Sequence, residues 1–146
     1  MTAHHNDLEV IRGLLTTPAT WAVVGLSDNQ ERTAYRIAQW LQARLQMRVL
    51  PVHPGAPFDP PVLGEPGYAA LAAIPDGVHV AVVDCFVRSA LVGAVVDEAI
   101  AQRARLGIGA VWLQLGVIDE AAAERAAAAG LAVVMDTCPK IEWPRL

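Results

Sequence analysis

Five short stretches hold most of the side chains that could do chemistry. The first runs Gly25-Leu26-Ser27-Asp28-Asn29 and on through Arg32 and Thr33 to the start of a segment with helical period. Gly25 permits a sharp bend, Ser27 offers a hydroxyl, and free backbone amides near Thr33 at a helix start form an anion site. Arg32 would add a charge-assisted contact of roughly 1.5–3 kcal/mol, against about 0.3–1 kcal/mol from the helix dipole. A phosphate fits here, although a single glycine equally suits an ordinary polar loop. The other stretches are His53-Pro54, Asp84-Cys85-Phe86-Val87-Arg88-Ser89, Gln114-Leu115-Gly116 and Asp136-Thr137-Cys138-Pro139-Lys140. Phe86 could stack on a base, Arg88 could reach a phosphate, and Gly116 allows close approach to the backbone. A dinucleotide site would need G-x-G-x-x-G and an acidic residue about 20 positions on. Neither is present.

These stretches need elements to bring them together. Apolar runs rich in β-branched residues alternate with helical segments, the pattern of βαβ units around a parallel sheet. Five strands are expected, at Trp21–Gly25, Arg48–His53, His79–Asp84, Gly109–Leu115 and Leu131–Met135. Helices are expected over Ala34–Leu45 and Arg88–Arg105, and from an Asp119 cap to Ala129, with Gly130 ending the last. A shorter helix is expected over Tyr68–Ile74, and another over Asp7–Leu15 within an N-terminal extension, residues 1–18. The run from Pro51 to Pro66 holds six prolines and can be neither helix interior nor central strand. Right-handed crossovers then give an α/β, Rossmann-like three-layer sandwich in one domain, with strand order 3-2-1-4-5. Ligands of such sheets bind beyond the carboxyl ends of the strands. All five stretches stand there.

On that order three strand spacings, roughly 14 Å, separate His53 from Cys138, too far for a nucleophile–base dyad. Four spacings, on the order of 19 Å, separate Cys85 from Cys138 and exclude a disulfide between them. Both cysteines read as buried, inert thiols. A receiver-like phosphoacceptor at Asp84, with Lys140 after the last strand, would need an acidic pair ending the first strand to hold Mg²⁺. Gly-Leu-Ser-Asp stands there instead.

The 146 residues, net charge of −4 and 54% hydrophobic content describe a chain long enough for a real core, without the basic face that nucleic acid requires. The uncharged run Gly13–Ser27 is broken by Thr16, Thr17 and Pro18, so no membrane span is expected. The N-terminus lacks a signal-like apolar region, and a cytoplasmic location is expected. His4 and His5 read as a solvated tail, and no metal site is expected. Self-association is left open.

Taken in order, Val-Val-Gly-Leu-Ser-Asp-Asn-Gln-Glu-Arg-Thr-Ala-Tyr-Arg, Leu-Pro-Val-His-Pro, Leu-Gly-Glu-Pro-Gly-Tyr, Val-Asp-Cys-Phe-Val-Arg-Ser, Trp-Leu-Gln-Leu-Gly-Val and Met-Asp-Thr-Cys-Pro-Lys-Ile-Glu resemble the small stand-alone CoA-binding proteins, and through them the CoA-binding domain of the succinyl-CoA synthetase alpha subunit. The resemblance runs from Thr20 to Trp143. It implies a nucleotide-binding, Rossmann-like domain whose ligand is coenzyme A or an acyl-CoA. Gly25, Leu26, Ser27, Asp28 and Asn29 would meet the diphosphate with Arg32 as anchor. His53 and Pro54 would stand near the nucleotide, Phe86, Val87, Arg88 and Ser89 at the third strand, and Gln114 and Gly116 by the pantetheine arm. Thr33 and His53 replace the family's usual Pro and Asn. The synthetase's phosphorylated histidine belongs to a second domain without counterpart in this sequence, so the implied role is binding without ligase chemistry. The alternative is a redox or acyl-transfer protein in which Cys138 or Lys140, on the same rim, reacts with the thiol or thioester of the ligand.

Overall fold

A computed structural model describes residues 3–146. Five parallel strands, β1 (Thr20–Val24), β2 (Arg48–Val52), β3 (Val82–Cys85), β4 (Ala110–Leu113) and β5 (Ala132–Val134), form one sheet. Helices α1 (Leu8–Thr16), α2 (Thr33–Leu45), α3 (Ser89–Leu106), α4 (Glu120–Ala128) and α5 (Pro139–Glu142) cover it. The α/β, Rossmann-like architecture is the one expected. Almost every strand residue is buried, because both faces are covered. Ala22, Val83, Cys85, Val111 and Val133 pack on one face with Val92, Val96 and Ala99 of α3 and Ala122 and Ala126 of α4. Trp21, Val23, Val82, Trp112 and Val134 pack on the other with Ile11 and Leu15 of α1 and Ala34, Ile37, Ala38 and Leu41 of α2. There the Trp21 and Trp112 rings lie 5.7 Å apart at a 40° tilt.

The strand order is β2-β1-β3-β4-β5. The third strand therefore lies between the first and fourth, and not outside the second as 3-2-1-4-5 would put it. Pro51 supplies the physical reason. It sits inside β2, has no amide proton to give a ladder, and is tolerated at an edge but not between two partners. The outer edge of β2 is closed by a single bridge, in which Tyr68 N donates to Pro51 O at 2.9 Å and His53 N donates to Tyr68 O at 3.0 Å. Tyr68 is thus edge-pairing backbone. The helix expected over Tyr68–Ile74 shrinks to a 3-10 turn at Leu71–Ala73.

In this order the chain reverses direction across the sheet between β1 and β3. The crossover α2 leaves β1 on one face and α3 leaves β3 on the other. Both helices therefore start at the same crevice, where sheets of this kind bind ligands. The N-terminal segment is also not a free tail. Asn6 exchanges two hydrogen bonds with the Met135 backbone, each 2.9 Å, and the His4 amide donates to Glu120 Oε2 at 2.8 Å. No helix among the described residues is long and apolar enough to cross a membrane.

Candidate functional site

The crevice is a cleft with two lobes along the carboxyl edge of the sheet. A lobe of about 540 Å³ reaches over β2 and includes His53, Pro54 and Leu91. A lobe of about 850 Å³ reaches over β4 and β5 and includes Gln114, Cys138 and Lys140. Gly25, Arg32, Phe86, Val87 and Arg88 border both. Each volume falls in the range that small ligands fill.

Gly25 makes the junction possible. Its φ is +102°, and a Cβ there would stand 2.4 Å from Phe86 O, so only glycine lets the β1 turn pass beneath the β3 turn. Much of the bend's own backbone is used within the chain: Gly25 N donates to Val52 O, Leu26 N to Val23 O, Asn29 N to Ser27 Oγ and Arg32 N to Asn29 O. Leu26 is wholly buried. The unused amides lie further on. Thr33 N and Ala34 N, in the first turn of α2, have no acceptor among the described residues, and neither have Ser89 N and Ala90 N in the first turn of α3.

The N-caps divide the helices into two kinds. Asp7 caps α1 by accepting from Glu9 N, and Asp119 caps α4 by accepting from Ala122 N. At α2 and α3 the N-cap residues are Arg32 and Arg88, and neither side chain caps its helix. A guanidinium at the positive end of a helix dipole is the wrong charge, and the missing oxygen forgoes roughly 1 kcal/mol per helix. Both arginines are exposed and lack an ion pair or side-chain hydrogen bond among the described residues. Two cations, Arg32 and Arg88, and the unfilled amides of Thr33 and Ala34 thus border one crevice, where a bound anion would meet them.

Beyond the junction, Gln114 follows β4 and is 4% exposed. Its Nε2 donates to Asp84 Oδ1 at 2.6 Å, while Asp84 Oδ2 has no partner among the described residues. Burial pushes the Asp84 carboxyl up to about 7, and the bond from Gln114 works in the opposite direction. Cys138 is 8% exposed, and burial raises its thiol above the ordinary range, against smaller lowering effects from the amides of Lys140 and Ile141. At neutral pH it is a thiol and not a thiolate, a poor nucleophile. His53 accepts a 2.9 Å bond from Gly55 N at Nδ1 and lies 5.9 Å from the Phe58 ring.

The structure brings Gly25, Arg32, His53, Pro54, Phe86, Val87, Arg88, Gln114, Cys138 and Lys140 to the cleft. Ser27, Asp28, Asn29, Leu26, Ser89 and Gly116 do not line it. The Ser89 hydroxyl is spent on the chain, donating to Gly116 O at 3.2 Å and accepting from Ile118 N at 2.9 Å. Gly116 N donates to Asp136 Oδ1 at 2.8 Å, so this network holds the β4 turn in place. The observed order also corrects two separations. His53 and Cys138 are four strand spacings apart, on the order of 19 Å, and Cys85 and Cys138 only two, roughly 10 Å. Both cysteines are free. Sequence reading missed the aliphatic wall of the larger lobe: Ala34 and Ile37 from α2, Leu115 and Val117 after β4, and Ile141 from α5. The i, i+3 spacing of Ala34 and Ile37 was visible but read only as core.

The family model for a CoA binding domain matches residues 19–144. An uncharacterized protein of Bacillus subtilis (strain 168), YneT, is 30% identical over 131 residues, covering 90% of each chain. A solved hypothetical protein from Pyrococcus horikoshii OT3 is 32% identical with a TM-score of 0.82, covering 100% of this chain and 99% of its own. The dinucleotide-forming acetyl-coenzyme A synthetase 1 of Ca. Korarchaeum cryptofilum, solved with phosphate and ADP, is 25% identical with a TM-score of 0.65. That match covers 90% of this chain and 28% of the synthetase. The chain belongs to the CoA-binding domain family.

Proposed function

We propose that this member of the CoA-binding domain family holds coenzyme A or an acyl-CoA across the two-lobed cleft, as a binding module without a catalytic step of its own. The diphosphate sits at the junction, on the first-turn amides of α2 and between Arg32 and Arg88. The nucleotide takes the lobe beside His53 and Pro54, where Phe86 and the half-exposed Leu91 offer flat apolar surface. The pantetheine arm takes the lobe past Gln114. The observation that carries this reading is the pair of arginine N-caps, an arrangement that costs the free protein stability and that an anion converts into binding energy.

Calorimetric titration of the full chain with CoA tests it. Each of Arg32→Ala and Arg88→Ala removes a charge-assisted contact of roughly 1.5–3 kcal/mol, a loss of about tenfold to 150-fold in affinity. No binding of CoA at micromolar protein overturns the reading, and unchanged affinity in both variants removes the anchor.

A second reading has one observation in its favour: Cys138 and Lys140 both line the lobe that receives the thiol end. In it the Cys138 thiolate attacks a CoA disulfide, forming a mixed disulfide and releasing CoA thiolate. The raised thiol opposes it. Intact-protein mass after incubation with CoA disulfide decides, since no adduct, or an adduct that survives Cys138→Ala, ends it.

A further inference from the structure

We propose that Asp84 is a positioning residue for Gln114: it holds the carboxamide so that Oε1 faces the larger lobe as a hydrogen-bond acceptor, and so selects a ligand whose arm presents an amide N–H there. This rests on the CoA reading given above and names the part of the ligand that Gln114 reads. Asp84 lies in β3, paired across the sheet with Val23 of β1 and Trp112 of β4. Gln114 follows Trp112 by two residues, so its side chain leaves the sheet on the same face as that of Asp84. Its backbone is fixed on both sides, because Gln114 N donates to Cys85 O at 3.3 Å and Gln114 O accepts from Val117 N at 2.8 Å.

The side chain has one hydrogen bond among the described residues, the 2.6 Å contact from Nε2 to Asp84 Oδ1. That carboxyl is wholly buried, and no cation among the described residues pairs with it. An ionised carboxylate accepts and cannot donate, whereas a carboxamide has one end of each kind. Only Nε2 can therefore face it, and Oε1 is turned away. Oε1 accepts no bond from the described residues and, unlike Asp84 Oδ2, is not sealed from solvent, while Gln114 borders the larger lobe. An Asn or Ser in place of Asp84 could donate as well as accept, and would leave the carboxamide free to turn over. Burying a carboxylate is costly, and specifying one orientation is what sets it apart from those neutral residues. The pantetheine arm carries amide N–H groups, which match an acceptor at this point of the wall.

The experiment is calorimetric titration of the full chain at pH 8, where Asp84, which burial brings to titrate at about 7, is ionised. The ligands are CoA, CoA analogues with one or the other amide nitrogen of the arm replaced by a methylene carbon, and 3′-phospho-ADP, which shares the nucleotide and lacks the arm. The parent is expected to bind one of the analogues about twofold to tenfold more weakly than CoA, the effect of one neutral hydrogen bond. Asp84→Val, Gln114→Met and the double variant should each lose that factor for CoA while keeping the parent's affinity for 3′-phospho-ADP. None of them should distinguish CoA from that analogue. The losses should not add in the double variant, which removes both partners and leaves neither unpaired. If a single variant fails to fold, the double variant and the parent's analogue series decide. Equal weakening of CoA and 3′-phospho-ADP would make the pair merely structural and overturn the proposal. Unchanged CoA affinity in the double variant overturns it too, as does a parent that binds CoA and both analogues alike; each of these leaves the CoA site standing. Failure of the parent to bind CoA overturns both.

Discussion

Asp84 should make the protein less stable as the pH rises, and Asp84→Asn should cancel that loss. The native carboxyl titrates near 7, against 3.8 for an ordinary aspartate. Between those values the native state binds a proton that the unfolded chain has released, so stability falls with increasing pH and levels off above 7. The difference of about 3 pH units corresponds to roughly 4 kcal/mol at 1.36 kcal/mol per unit. Asn keeps an oxygen to accept from Gln114 Nε2 and cannot ionise. Its amide nitrogen would replace the unpartnered Oδ2 as a buried orphan, costing about 1–3 kcal/mol at every pH. The variant is therefore expected to be less stable than the parent by about 1–3 kcal/mol at pH 4 and more stable by about 1–3 kcal/mol at pH 8. The informative quantity is the change in that difference, about 4 kcal/mol, in which the orphan penalty cancels. Denaturant unfolding of both proteins across pH 4 to 8, with a common slope, measures it. A stability difference that stays constant across that range would refute the burial argument, because it would mean that Asp84 ionises as it does in water.

Gly25→Ala should lower stability by about 2–4 kcal/mol in denaturant unfolding, since its Cβ meets a backbone oxygen at 2.4 Å in a conformation that side chains avoid. Ser89→Ala should cost roughly 1–2 kcal/mol of stability, through Gly116 O and Ile118 N, while changing CoA affinity less than Arg88→Ala does; calorimetry that shows the reverse would restore Ser89 as a ligand contact. Asn6→Ala removes both bonds to Met135 and should expose the N-terminal segment to early proteolysis, with a stability loss of about 1–3 kcal/mol.

The alternation of strands and helices was legible because each strand is a short apolar run and each long helix keeps its stripe, so element type followed from period alone. Order was harder, because periodicity says nothing about which strands are neighbours. The decisive sign was present in Pro51: a proline inside the second strand makes that strand an edge, and an edge strand cannot lie between the first and third. Tyr68–Ile74 shows the opposite difficulty. Its residues suit a helix locally, but β2 had an open edge, and the backbone of Tyr68 met that demand instead. Ser89 and Gly116 stand at the expected rim with partners inside the chain, a role that sequence does not separate from ligand contact, because a hydroxyl near a binding edge looks the same whether it faces a ligand or ties two turns together. The aliphatic wall could not be separated from core before α2 and α5 were seen to leave one side of it open.

The helix N-caps connect stability to function in this fold. Capping by Asp7 and Asp119 secures α1 and α4, which have no part in the cleft, with the residue type best suited to an unfilled amide. Had α2 and α3 been capped the same way, the carboxylates would have filled the first-turn amides from within and repelled a diphosphate approaching the junction. Arg32 and Arg88 leave those donors open and, on the proposed placement of the diphosphate, add charge of the opposite sign to it, at the expense of the uncomplexed protein. Filling the site should therefore raise stability by more than contact area alone suggests, and the gain should shrink with added salt, because its largest part is the pairing of exposed cations with an anion. Thermal unfolding with saturating CoA at low and high ionic strength reads this directly. A ligand-induced rise in melting temperature that ignores salt would place the binding energy in the lobes and not at the two helix starts.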